Sequence, residues 1–146
     1  VTTAGSRSTH AVSLMDIYPT LTELAGLETP AHVEGRSLVP LLEDPGREWD
    51  FPVVTTYGYD NHAVRTDRYR YIRYADGSEE LYDHATDPNE WKNLASDRAY
   101  ADRKTELRRA LPARNAPDLA PPPPPRPSAP SGDPSARNEA GVGAQD

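Results

Sequence analysis

Residues 53–83 read Val53-Val-Thr-Thr-Tyr-Gly-Tyr-Asp-Asn-His-Ala-Val-Arg-Thr-Asp-Arg-Tyr-Arg-Tyr-Ile-Arg-Tyr-Ala-Asp-Gly-Ser-Glu-Glu-Leu-Tyr-Asp83, and this stretch decides the fold. Val53–Tyr57 is β-branched and aromatic, the composition of a strand. Ala63–Thr66 and Tyr69–Tyr74 are two more such runs, joined by Asp67-Arg68 as a hairpin candidate. Asp76-Gly77 is a stronger turn signal, because a type I′ turn needs positive φ at both central positions. It leads into Glu79–Asp83. The pattern predicts an antiparallel meander of about four strands, with tyrosines 69, 71, 74 and 82 spread over both faces.

Helices are predicted on either side. Upstream, Asp16 is a plausible N-cap; Ile17, Leu21, Leu24 and Ala25 recur at helical spacing, and Gly26 supplies the stop. Pro19 fits the first turn, where a backbone N–H has no intrahelical acceptor. Leu14 and Tyr18 widen the apolar side. Ser37 caps a second, short helix with Pro40 in its first turn, ended by Asp44-Pro45-Gly46. Downstream, Asp87-Pro88-Asn89-Glu90 turns the chain. Ser96 or Asp97 then caps a last helix reaching about Leu111, with Tyr100, Leu107 and Leu111 along one side. The expected class is α+β, a small antiparallel sheet with a C-terminal helix, preceded by two helices.

After Pro112 the character changes. Ten of the sixteen prolines follow Ala110, and no aromatic residue follows Tyr100. Such a segment buries too little apolar surface to offset its ordering entropy, so residues 112–146 are expected to be a disordered, Pro-rich tail. The whole chain has 146 residues and a net charge of −7, which gives no basic footprint for nucleic acid. The locally basic strip Arg65, Arg68, Arg70, Arg73 is interrupted by acidic residues and reads first as a solvated sheet face, second as an anion-contacting surface. Without cysteine there is no disulfide, thiolate metal site or cysteine nucleophile. No apolar run approaches the roughly 20 residues that span a bilayer, so no membrane partner is expected.

Few residues invite a chemical role. His10, His32, His62 and His84 are scattered without metal-ligand spacing, so no metal site is expected from this chain alone. Asn61 and His62 sit before a strand, on a loop following Tyr57-Gly58-Tyr59-Asp60, where recognition residues tend to be displayed. With Arg65 they are the candidate substrate contacts, suited to a sugar carboxylate or hydroxyl. The competing reading has Asn61 and His62 satisfying the loop's own backbone. Asp83 and His84 are neighbours that a strand would point to opposite faces, so Asp83 is expected to bond turn amides before Pro88 and not to form a dyad. The tyrosines of the third strand are expected to pack, with a carbohydrate platform as the alternative.

Four stretches, in order, resemble the end of a sulfatase: Val12-Ser-Leu-Met-Asp-Ile-Tyr-Pro-Thr-Leu-Thr-Glu-Leu-Ala-Gly26, Val33-Glu-Gly-Arg-Ser-Leu-Val-Pro-Leu-Leu42, Asn61-His-Ala-Val-Arg-Thr-Asp-Arg-Tyr-Arg-Tyr-Ile-Arg-Tyr74 and Glu80-Leu-Tyr-Asp-His-Ala-Thr-Asp-Pro-Asn-Glu-Trp-Lys-Asn-Leu94. Asn61–Arg65 is similar to the iduronate-2-sulfatase-like branch. The resemblance implies three regions: residues 1–45 as the end of a large α/β sulfatase domain, 46–111 as the C-terminal subdomain, and 112–146 as the tail. It also implies a formylglycine nucleophile, from a Cys/Ser-x-Pro-x-Arg motif, and a calcium ion. Both are expected in an N-terminal part, for Ser128-Ala129-Pro130 lacks the following Arg and no calcium ligand maps onto this chain. No catalytic residue is assigned here, and no cofactor is expected to bind to this chain. The expected partners are that N-terminal domain and a sulfated sugar or other sulfate ester; the expected location, by resemblance, is periplasmic, secreted or lysosome-like. The alternatives are a stand-alone interaction or carbohydrate-binding module, and a phosphate-handling relative in the alkaline-phosphatase superfamily.

Overall fold

The computed structural model describes residues 4–117. Its centre is a four-stranded sheet of β1 (Val53–Thr56), β2 (His62–Arg65), β3 (Tyr69–Arg73) and β4 (Glu79–Asp83), paired antiparallel in chain order. The register sets Val54 beside Val64, Val64 beside Tyr71 and Tyr71 beside Leu81. Side chains alternate along a strand, so these four share one face, and Val64, Tyr71 and Leu81 are fully buried. Helix α3 (Ala101–Arg108) covers that face with Leu107, and Leu94 and Ala95 complete the core. Tyr71 is thus a packing residue, its hydroxyl donating to Glu79 at 2.5 Å.

The free edge of β4 is closed by a side chain. Asn93 accepts the Leu81 amide at 3.0 Å and donates to the Glu79 carbonyl at 3.1 Å. One carboxamide thereby replaces part of a missing neighbouring strand, which blunts an edge that would otherwise invite pairing. Leu94 adds a backbone bond to Leu81 at 2.8 Å.

One hairpin has the expected length and the other is longer. The Thr66 amide donates to the Tyr69 carbonyl at 2.9 Å, which leaves Asp67-Arg68 as the expected two-residue link between β2 and β3. Between β3 and β4, Tyr74 pairs with Ser78 and leaves three loop residues, and Gly77 donates back to the Tyr74 carbonyl at 2.9 Å. Of the central residues only Gly77 has positive φ, +84°. This is the three-residue solution, a tight turn followed by a left-handed glycine, and not the type I′ turn that Asp76-Gly77 predicts. Asp76 accepts the Ser78 amide and hydroxyl, at 2.8 and 2.6 Å, and these bonds hold the longer loop.

The upstream helices are α1 (Ile17–Leu24) and α2 (Val39–Glu43), with α1 preceded by a 3-10 turn over Leu14–Asp16. Asp16 does not cap α1 through its side chain, contrary to expectation. Its carboxylate accepts the Ser13 amide and, across the fold, the Arg36 amide, each at 2.8 Å. Thr20 accepts the Leu38 amide at 2.8 Å. These bonds button the start of α1 to the loop before α2. Gly35 belongs to the same junction, because a Cβ there would lie 2.0 Å from the Met15 carbonyl oxygen. Ser37 accepts the Val39 amide at 3.2 Å but lies one residue before Leu38, the N-cap of α2, which has no side-chain cap bond. Gly26, at φ +68°, ends α1 with Leu27 donating back to Thr22. The last helix starts with Asp97 accepting the Ala99 amide, but its first turn, Arg98–Tyr100, is 3-10.

Helix α1 packs on α2 and on the 3-10 turn. Ile17, Tyr18, Leu21 and Leu24 are about half exposed or more, and Leu14 is 86% exposed. The N-terminal segment reaches the sheet mainly through Asp67, which accepts the Ala11 amide at 2.8 Å and meets His10 at 2.6 Å. Among the described residues no helix is long and apolar enough to cross a membrane.

Candidate functional site

His62 opens β2 and points into the core-facing side of the sheet end. It is 2% exposed. Thr56, its register partner on β1, meets Nδ1 at 2.9 Å, and Asn115 Oδ1 meets Nε2 at 2.6 Å. Asp60 lies 3.6 Å from the same nitrogen, is paired with Arg73 of β3, and receives the Asn115 amide at 2.8 Å. The Asn115 hydrogen bond and then Arg73 hold the Asp60 carboxyl below the usual carboxylate range. Asn61 faces another way. It donates to the Tyr59 carbonyl at 2.9 Å and accepts the Ala75 amide at 3.1 Å, tying two loops together.

Arg65 ends β2, three residues and about 10 Å along from His62. An odd offset puts it on the opposite face. There it meets His84 Nε2 at 2.9 Å, and His84 in turn meets Glu90 at 2.6 Å. Arg70 pairs with Glu90 at 2.9 Å. Burial opposes it, but the His84 hydrogen bond and Arg70 still lower the Glu90 pKa. The three candidate substrate contacts therefore do not converge: Asn61 and His62 share one end of β2, while Arg65 belongs to a separate network.

The basic strip is largely solvent-accessible but does not form one face. Arg65 and Arg70 project to one side and Arg73 to the other, and Arg68 sits in the turn, clamped to Asp83 at 2.7 and 2.6 Å. Each finds an acidic or imidazole partner because strand alternation and register bring Asp60, Asp83, His84 and Glu90 beside them. Asp83 is fully buried. It does take one turn amide, Ala85 at 3.1 Å, but its main partner is the Arg68 fork, which holds its pKa low. Burial and a hydrogen bond to Glu80 raise Tyr82 to about 12.

Sequence reasoning singled out His62 but missed Asp60, Arg73 and Asn115. Asn115 falls in the stretch assigned to the tail, yet it is bonded to the sheet; residues 118–146 lie outside the described residues. Among the described residues, no group of three His, Cys, Asp or Glu is placed to hold a metal ion.

Residues 2–116 match the family described as N-sulphoglucosamine sulphohydrolase, C-terminal. A sulfatase of Formosa agariphila is 45% identical over 112 residues, covering 77% of this chain and 22% of the relative. The Δ4,5-hexuronate-2-O-sulfatase of Bacteroides thetaiotaomicron is 38% identical over 106 residues, covering 66% of this chain and 22% of the relative. The solved phosphonate monoester hydrolase of Agrobacterium radiobacter superposes with a TM-score of 0.54 at 28% identity, over 64% of this chain and 23% of that one. The chain thus spans about a fifth of the length of the curated relatives it matches. These matches do not single out the iduronate-2-sulfatase branch within the family. With the four-stranded sheet, its covering helix and the matched residues in agreement, the chain belongs to the family of sulfatase C-terminal regions.

Proposed function

We propose that this chain serves a sulfatase acting on a sulfate ester of a sugar, as the C-terminal subdomain and one wall of the substrate cleft. The observation that carries this is the family match over residues 2–116, supported by relatives named as sulfatases, one of them a hexuronate-2-O-sulfatase. The residues described here do not fit the calcium and formylglycine that sulfatases use. The chain has no cysteine, its one Ser-x-Pro, Ser128-Ala129-Pro130, lacks the following Arg, and no described acidic cluster could hold a cation. Both groups belong, on this reading, to an N-terminal catalytic domain. The uncovered apolar side of α1 is the surface proposed to meet that domain, since an exposed stripe of this kind marks an interaction site.

Of the three candidate contacts, the geometry favours His62, at the end of the sheet where loops converge, whereas Asn61 is engaged by the backbone of its own loops. Arg65 serves the opposite face. A second reading, hydrolysis of a phosphonate or phosphate ester, is favoured by the phosphonate monoester hydrolase neighbour.

A chimera tests the proposal: the C-terminal fifth of the Formosa agariphila relative is replaced by this chain. Turnover of a sulfated sugar, lowered tens of fold by His62→Ala while a small aryl sulfate is spared, is the expected result. Equal losses on both substrates, or turnover of phosphonate esters alone, would refute it.

A further inference from the structure

The Asn115 carboxamide spans two partners, with its nitrogen 2.8 Å from Asp60 Oδ1 and its oxygen 2.6 Å from His62 Nε2. An ionised carboxylate only accepts, so the amide nitrogen faces Asp60 and the amide oxygen faces His62. Nε2 therefore carries a hydrogen. His62 is held at its other ring nitrogen by Thr56 at 2.9 Å, and Asp60 is paired with Arg73 through the same Oδ1 that accepts the Asn115 amide. Asp60 is also a non-glycine residue at φ +58°, a conformation that persists only where its surroundings over-determine it. Among the described residues 112–117, Asn115 makes the side-chain hydrogen bonds that attach this segment to the sheet.

A donor beside an acceptor, 3.6 Å apart, fits a group that offers an acceptor and a donor on one edge. A primary carboxamide does so, and so do two neighbouring hydroxyls of a pyranose, one accepting from His62 and one donating to Asp60. A sugar acetamido group does not, because its trans amide points N–H and C=O in opposite directions.

We propose that Asp60 and His62 form a binding pair for vicinal hydroxyls of a sugar, and that Asn115 is an internal stand-in which the sugar must displace. The inference rests on the reading of this sheet end as a substrate wall and names the group that the wall recognises. Two net hydrogen bonds hold the latch shut by roughly tenfold or more, and a ligand's apparent affinity falls by the same factor.

The test follows the Asn115 side-chain amide and the His62 imidazole by nitrogen NMR in the full 146-residue chain, titrated with methyl α-D-glucopyranoside or its fully O-methylated form. The free glucoside is expected to move both signals and the methylated one to move neither. Asn115→Ala should bind the glucoside about tenfold more tightly, and His62→Ala should lose it. Equal binding by the parent chain and Asn115→Ala, with loss in His62→Ala, overturns the latch and leaves the wall reading standing. No binding by a folded Asn115→Ala variant overturns both. If that variant does not fold, the parent chain still decides, because an Asn115 amide that the glucoside leaves unmoved refutes displacement.

Discussion

Arg68→Met is the perturbation that probes the subdomain's most buried charge. Asp83 is fully buried, and its two strong partners are the Nε and Nη2 of Arg68, at 2.7 and 2.6 Å. Removing the guanidinium while keeping its apolar stem leaves a buried carboxylate with the Ala85 amide at 3.1 Å. Breaking a buried pair from one side costs about 3–5 kcal/mol. The Arg68 side chain is 54% exposed, so water can reach the vacated position, and the lower end, about 3 kcal/mol, is expected. The pH dependence has a definite sign. In the parent chain Asp83 is depressed, so it adds stability above the unfolded carboxyl pKa of about 3.9 that is lost as pH falls through the lower folded value. In Arg68→Met its folded pKa rises above the unfolded one, so that variant loses stability as pH rises from about 4. The two should differ most at pH 7 and converge below pH 4. Adding Asp83→Asn to Arg68→Met removes the unpaired charge and should recover at least about 1 kcal/mol. Urea midpoints at pH 7 and pH 4, with unchanged slopes, measure this. A penalty under about 1 kcal/mol at pH 7, or one independent of pH, would refute the reasoning.

Other outcomes follow from the upstream half and the edge strand. Gly35→Ala puts a Cβ 2.0 Å from the Met15 carbonyl oxygen, so it should cost about 2–4 kcal/mol or detach the start of α1, read as lost protection of the Arg36 and Leu38 amides in hydrogen exchange. Leu21→Glu, at a site 60% exposed, should leave the urea midpoint within about 0.5 kcal/mol while reducing self-association in light scattering. A large stability loss would mean that the stripe is buried within the chain. Asn93→Leu keeps bulk but leaves the Leu81 amide unpartnered, and should cost about 1–3 kcal/mol by thermal unfolding.

The meander was legible because it is local. β-branched and aromatic runs, spaced by turn residues, set four strands in chain order, while the register of the structure put Val64, Tyr71 and Leu81 on one face. Helix α1 and its unsatisfied apolar side were legible for the same reason, since an eight-residue amphipathic pattern needs no partner to be recognised. The family resemblance was carried by four ordered stretches and covers both halves.

The site was legible only in part, and the reason is sequence separation. His62 is 53 residues from Asn115, and Arg68 is 15 from Asp83. No periodicity links such positions; register and the return of the chain after α3 bring them together. Strand parity, once the register is known, separates Arg65 from His62 and distributes the arginine strip over both faces. Sequence by itself determined the order and approximate place of the strands and helices, because propensity and hydrophobic period act over a few residues. Only the tertiary structure decided which charges are paired and what closes over His62, because hydrogen bonds depend on distances that folding alone sets.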